Sequence, residues 1–321
     1  MATLASCALA VLLAACGGDS GPPDLEPQPY RPPSQLTMVT DGAGGGFESP
    51  MDAVSSPDGA RFYFSAYATS APEGSESAAA IYAVDSAGGT PQALHVGDPL
   101  EQPTGLLMSC DGDTLYIADI GHSADEAADQ GAPVYTLAMD SNQLTPLTAD
   151  GIGEAASLAL SKDCSTLYVT GYTEDRTPAL FRLPAAGGTA AVVKSGAPLV
   201  SPSGVYVDQD QVAWVMDHQP EGATGGVLFA IADDGTTTAV IDGLRISEPA
   251  GVSLISAGGI AVIPNRDLNQ DSHLITVEIA TGAMTIVEAP NMVEPAGIRT
   301  AIGAPVMAVV DADGDAIYRA E

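Results

Sequence analysis

The feature that most restricts what this chain can fold into is a repeat. A Pro-x-Gly-apolar tetrapeptide recurs at Pro103-Thr104-Gly105-Leu106, Pro202-Ser203-Gly204-Val205, Pro249-Ala250-Gly251-Val252 and Pro295-Ala296-Gly297-Ile298, with degenerate copies starting at Pro50 and Ala155. Successive copies start 53, 52, 47, 47 and 46 residues apart, the size of one supersecondary unit. Each copy leads through a Ser-x-Asp-Gly-like turn into a β-rich run: Phe62-Tyr63-Phe64, Leu115-Tyr116-Ile117, Leu167-Tyr168-Val169, Ala213-Trp214-Val215, Ala261-Val262-Ile263 and Met307-Ala308-Val309. A third run carries a matched aromatic or β-branched residue at Tyr82, Tyr135, Phe181, Phe229, Ile275 and Tyr318. Gly-Gly or Asp-Gly then precedes a short fourth run, as at residues 92–96 and 238–241. Four short strands separated by turn residues make one propeller blade. The last copy stops at Glu321 after its third run, and residues 35–40 read as a strand ahead of the first copy. That N-terminal strand would complete the last blade and leave the ring without an open end. The expected fold is all-β: a six-bladed β-propeller of four-stranded antiparallel blades over residues 36–321.

Residues 1–15 are apolar and small, end in Leu13-Ala14-Ala15, and are followed by Cys16. The run suits the apolar core of a signal peptide and is too short to span a bilayer. Leu13-Ala14-Ala15-Cys16 resembles the bacterial lipobox. The resemblance implies that residues 1–15 are removed and that Cys16 is lipidated and attaches the chain to a membrane. With Gly17 next, it also implies an address in the cell envelope, at the outer membrane. An ordinary secretory signal with an incidental cysteine is the plainer alternative. Residues 16–35 then form a tether: six prolines between Pro22 and Pro33, with almost no large aliphatic side chains, favour extended chain of about 3.1 Å per residue.

Ten basic side chains against 41 acidic ones give a net charge of −31. Nucleic acid is excluded as a partner, because phosphate binding needs clustered Lys and Arg. Attraction to anionic lipid is excluded on the same ground, so any membrane attachment falls to the lipid. With Cys7 in the signal and Cys16 lipidated, Cys110 and Cys164 remain. Both fall in the same turn of neighbouring repeats, in an oxidising compartment, and are expected to form a disulfide between adjacent blades.

The pattern Pro-x-Gly-apolar, Asp-Gly, then Leu115-Tyr116-Ile117-Ala118-Asp119, resembles the NHL/YVTN and regucalcin–gluconolactonase group of propellers across all six repeats. That group hosts lactonases, lyases, esterases and pure binding modules alike. In a propeller, the start of the innermost strand and the end of the second strand meet at one mouth of the central channel. The residues before the six repeat starts are Ser49, Gln102, Glu154, Ser201, Glu248 and Glu294; those closing the second strands are Ala66, Asp119, Gly171, Asp217, Asn265 and Asp311. Glu154, Glu248, Glu294, Asp119, Asp217, Asn265 and Asp311 thus make a candidate oxygen-ligand ring for Ca²⁺, which prefers hard oxygen donors. Repeated turn chemistry is the competing explanation. The regucalcin resemblance implies a cation held by one Glu, two Asn and one Asp. Of these Asn265 matches an amide, one of the three glutamates the Glu, and Asp217 or Asp311 the Asp. A bound cation would polarise a lactone or ester carbonyl while a carboxylate activates water.

Asp267, Asn269 and Asp271 form a second, D-x-N-x-D candidate calcium loop, although Ser272 stands where an EF-hand places Gly and residues 273–279 read as strand. Asp311-Ala312-Asp313-Gly314-Asp315 is similar but reads equally as a hairpin turn. His122 and His218 lie near the mouth and could serve as a base or line a pocket; solvated loop histidines are the commoner case. Residues 42–46 are a Gly-rich connection without the Lys or helix of a phosphate site. No Gly-x-Ser-x-Gly elbow, Cys-x-x-Cys, His-Glu-x-x-His or phosphate loop occurs, and no catalytic residue can be named. Two functions stay open: a membrane-anchored binding or scaffold lipoprotein whose partner, small molecule or protein, meets the acidic mouth, and a Ca²⁺-dependent hydrolase of lactones or esters.

Overall fold

The computed structural model describes residues 31–69, 78–121, 132–218, 225–246, 250–255, 259–266, 271–287 and 292–321. Six antiparallel sheets follow one another as blades. From the inner to the outer strand, blade 2 runs Pro103–Met108, Thr114–Asp119, Val134–Ala138 and Gln143–Pro146. Blade 3 runs Glu154–Leu160, Thr166–Tyr172, Pro178–Pro184 and Ala191–Ser195; blade 4 runs Pro202–Val207, Ala213–Asp217, Gly226–Ile231 and Thr237–Leu244. Blade 5 comprises Ser253–Ile255, Ile260–Arg266, Ser272–Glu278 and Ala283–Val287. Blade 1 has its inner strand in two pieces, Phe47–Glu48 and Ala53–Ser55, both paired with Arg61–Ala68, followed by Ala78–Asp85 and Gln92–Val96. In blade 6, Pro295–Thr300, Met307–Asp311 and Ala316–Ala320 are completed by the N-terminal strand Leu36–Asp41, which pairs antiparallel with Ala316–Ala320. The ring closes as the repeat count requires.

The second strands are apolar on both faces because each blade is sandwiched between two others, while the outer strands are largely exposed. Six buried clusters result, one at each blade junction. The matched third-strand residues pair with the middle of the second strand at Phe64↔Tyr82, Ile117↔Tyr135, Val169↔Phe181, Val215↔Phe229, Ile263↔Ile275 and Val309↔Tyr318. Each sits in the cluster its blade shares with the blade before it. At the junction of blades 6 and 1 the cluster gains Phe47, Phe64 and Tyr82, with ring centroids 4.8–5.8 Å apart.

The Ser-x-Asp turns between first and second strands are internally wired. The Ser56, Ser109 and Ser161 hydroxyls each donate to the aspartate two residues on, at 2.6 Å. Each serine oxygen in turn accepts the amide five residues on, from Arg61, Thr114 and Thr166. Cys110 and Cys164 are joined by a disulfide that links this turn in blade 2 to its equivalent in blade 3. Three features were not expected. Residues Gly42–Gly45 form one helical turn capped by Asp41, so the Gly-rich connection is not simply irregular. A two-stranded parallel pair, Ala149–Asp150 with Gly188–Thr189, ties the blade 2–3 connection to blade 3. The outer strand of blade 4 is also longer than its repeat pattern indicated.

Two outcomes follow. The disulfide closes a 54-residue separation, so replacing both cysteines with serine should cost about 4 kcal/mol in urea unfolding; a cost below about 1 kcal/mol would show that the blade contacts alone set the stability. The serine hydroxyls and then the turn amides hold Asp58, Asp111 and Asp163 below the usual carboxylate range. Folded chain therefore binds these protons less readily than unfolded chain. The stabilisation is complete above the ordinary aspartate range and is lost as pH falls through the lowered values. Replacing Ser56, Ser109 and Ser161 with alanine should flatten the acid limb of stability measured from about pH 5 to pH 2.

Candidate functional site

The inner strands approach the axis so closely that side chains are excluded from most positions there. At the third residue of the repeat stand Asp52, Gly105, Ser157, Gly204, Gly251 and Gly297. A Cβ on Gly204 would lie 2.2 Å from the Ala250 carbonyl oxygen, and one on Gly297 would lie 2.4 Å from Asp52 Oδ1. The backbones instead bond across blades: Gly204 N–H donates to Ala250 O at 2.8 Å and Gly251 N–H to Ala296 O at 3.0 Å.

Into this constriction reaches Arg299, from the inner strand of blade 6. Its Nε and Nη2 donate to Asp52 Oδ2 at 3.2 Å, Nη2 also donates to Ser157 Oγ, and Nη1 donates to Leu158 O at 2.9 Å and Val205 O at 3.1 Å. One buried guanidinium thus ties blade 6 to blades 1, 3 and 4. Asp52 adds blade 2, accepting the Leu106 N–H at 2.9 Å while its other oxygen accepts the Ala53 N–H. Burial pushes the Asp52 carboxyl up, against the pull of Arg299 and these amides. The remaining axial space is lined by Asp52, Thr104, Ser157, Arg299 and the backbone of the glycine positions. Residue patterns did not single this pair out, although a signal existed. Asp52 replaces the glycine of the repeat, and Arg299 stands where the other inner strands carry Val54, Leu107, Ala159, Tyr206 and Ser253.

The mouth carboxylates serve the backbone. Pro103, Pro202 and Pro295 lie opposite Asp119, Asp217 and Asp311 in the ladder. The two amides before each proline have left the ladder and need acceptors. Asp119 takes the Glu101 and Gln102 N–H groups, both at 2.8 Å; Asp217 takes those of Val200 and Ser201 at 3.0 and 3.1 Å; Asp311 takes those of Val293 and Glu294 at 2.8 and 2.7 Å. All three aspartates are buried. Burial raises the Asp217 carboxyl, with the two amides pulling the other way. From the preceding blade, Tyr67 Oη donates to Glu101 O, Tyr172 Oη to Ser201 Oγ and Arg266 Nη2 to Val293 O. The same three segments are thus held from both sides.

Asn265 accepts the Arg245 N–H at 3.0 Å and donates to Arg266 O. Glu154 pairs with Arg176 at 2.9 Å and Glu294 with Arg266 at 3.2 Å. Asp271 is exposed at the start of the third strand of blade 5, and Asp311–Asp315 is the hairpin between the second and third strands of blade 6. The His218 backbone N–H bonds Ser201 O. Glu248, Asp267, Asn269, His122 and Cys16 lie outside the described residues. Among the described residues, no three His, Cys, Asp or Glu side chains come together to hold a metal. The mouth donors described are committed to amides and arginines, and the calcium reading draws no support from them.

If Arg299 is the axial tie, removing it strands a buried carboxylate. Arg299→Ala and Asp52→Ala should each cost about 3–5 kcal/mol in urea unfolding. The Asp52→Ala/Arg299→Ala double variant should cost clearly less than the two single losses together. Additive losses would rule out the coupling.

No family model matches the sequence, and no curated protein matches it. Solved structures are similar in fold. A structural genomics protein of unknown function from Bacteroides thetaiotaomicron VPI-5482 superposes with a TM-score of 0.64 at 12% identity, over 89% of this chain and 75% of that one. A nidogen/laminin complex chain gives 0.53 at 14% identity, over 69% and 76%. TolB from Acinetobacter baumannii gives 0.51 at 14% identity, over 85% of this chain and 54% of its own. Likeness at such identities carries the architecture, and the chain has the six-bladed propeller fold these structures resemble.

Proposed function

We propose that this chain is a lipid-anchored lipoprotein of the bacterial cell envelope, at the outer membrane, whose propeller is a binding or scaffold module. The observation that carries the module reading is the commitment of Arg299 at the axis and of Asp119, Asp217 and Asp311 at the mouth to the protein's own groups. Arg299 has all five of its N–H donations spent inside the protein. The three buried aspartates hold backbone amides. A reacting centre needs an acid, base or nucleophile aimed at a space a substrate can enter, and these side chains are aimed at the protein's own backbone and at one another. The anchor reading is supported by the lipobox-like Leu13-Ala14-Ala15-Cys16 and the proline-rich stretch after it.

Expression of the full chain in a bacterium fed labelled palmitate tests the anchor. The wild type should take up label and sediment with membranes, and Cys16→Ser should do neither; label on the variant would overturn it. Calcium tests the module against the lactone or ester hydrolase. Millimolar Ca²⁺ should leave the melting temperature of the wild type unchanged. A rise abolished by Asp217→Ala but not by Asp267→Ala would return the hydrolase reading.

A further inference from the structure

The outer strands of the six blades are the edges of their sheets, and five of them are blunted. The pairing of the outer strand is broken by a register shift in blade 1 between Ile81 and Tyr82, in blade 3 between Leu180 and Phe181, in blade 4 at Leu228, and in blade 6 between Met38 and Thr40. Blade 2 has only four residues there and ends in Pro146. Bulges, prolines, short strands and charges are the standard devices against strand addition.

The outer strand of blade 5, five residues long, has no bulge, proline or charge. Ala283–Val287 pairs with Ser272–Glu278 in unbroken register from Leu274↔Val287 to Glu278↔Ala283. Its sequence, Ala-Met-Thr-Ile-Val, contains no charge and no proline. Met284 and Ile286 alternate on one face and are each 54% exposed, and among the described residues the sheet ends on this strand. Exposed carboxylates stand at either end of the strand it pairs with, Asp271 and Glu278.

We infer that the outer edge of blade 5 is a strand-addition site for an extended segment of a partner protein, with apolar and basic residues in alternation. Backbone groups on this outer edge supply the hydrogen bonds, and Met284 and Ile286 supply the apolar contact. The basic residues follow from charge. The flanking carboxylates and a net charge of −31 attract a cationic segment and repel an acidic one. The same repulsion disfavours a second copy of this chain as the occupant. This inference rests on the binding-module reading and names its surface.

The probe is a labelled, terminally blocked peptide of alternating valine and lysine, about six residues long, titrated against the full chain by fluorescence anisotropy, with amide exchange read in parallel. Bound peptide should slow exchange across residues 283–287. Ile286→Lys should weaken binding by about tenfold or more. Val192→Lys, which makes the same charge change on the 51% exposed Val192 of blade 3's outer strand, should change affinity less than about twofold. A valine–glutamate peptide should not bind. Equal weakening by the two lysine variants would reduce the effect to the general field and overturn the site, as would protection elsewhere. Self-association in about 0.5 M salt that Ile286→Lys abolishes would give the edge to a second copy and overturn the stated partner. These results are independent of the calcium melting test, so the edge can fail while the module reading stands.

Discussion

A propeller made from one chain has one junction that no covalent crossover holds in the usual order, and here that is the contact between blades 6 and 1. The structure secures it at three radii. At the rim, Leu36–Asp41 completes the sheet of Ala316–Ala320. Midway, Phe47, Phe64 and Tyr82 pack in a cluster with Ile317, Val310 and Ala308 of blade 6. At the axis, Asp52 of blade 1 meets Arg299 of blade 6. The axial contact is the most demanding, because a buried ion pair is tolerated only when its remaining hydrogen-bonding positions are filled. An arginine can satisfy that demand where a lysine cannot. Its planar fork sends five donors in fixed directions, and the carbonyls of Leu158 and Val205 lie where the outer ones point.

Closing the axis this way changes what the mouth is for. Proline opens the inner strands Pro103–Met108, Pro202–Val207 and Pro295–Thr300 and removes one ladder donor from each. The two amides before it then need an acceptor. Asp119, Asp217 and Asp311 supply it, and they recur 98 and 94 residues apart, in every second blade. The alternate blades place Ala66, Gly171 and Asn265 at the equivalent point, and their second strands run on through Tyr67, Tyr172 and Arg266. Blades therefore differ in pairs: one carries the carboxylate that grips a crossover from within, and the one before it supplies the side chain that reaches over to the same crossover.

That alternation explains which parts were readable from sequence. Short apolar runs, turn residues at fixed offsets and a spare N-terminal strand depend on local chemistry, so the six blades and their closure by residues 36–41 were legible. The pairing of Cys110 with Cys164 followed from equal positions in adjacent repeats. The mouth was legible in position but not in purpose. An aspartate closing a strand looks the same whether its oxygens face a cation or the amides of Val200 and Ser201, and the difference lies in the path of a segment some sixteen residues earlier in sequence. Asp52 and Arg299 were hidden for another reason. They stand 247 residues apart, and each alone is only a defect in a repeat; opposite charges on the two inner strands flanking the closure become informative together.

On the binding-module proposal, with axis and mouth engaged in holding the ring, recognition falls to surfaces whose backbone or side chains are not already used. Most sheet edges have been withdrawn from that role by bulges or by Pro146. Such devices disturb local pairing, and they are needed where a bare edge would join copies of the same chain. A net charge of −31 opposes that association over the whole surface, to about a Debye length. Under that general repulsion one uncharged, regular edge at Ala283–Val287 can persist without inviting self-pairing. The field that keeps identical chains apart attracts cationic ones, so under the proposed strand addition acidity and edge geometry act together as a filter on what can add to blade 5.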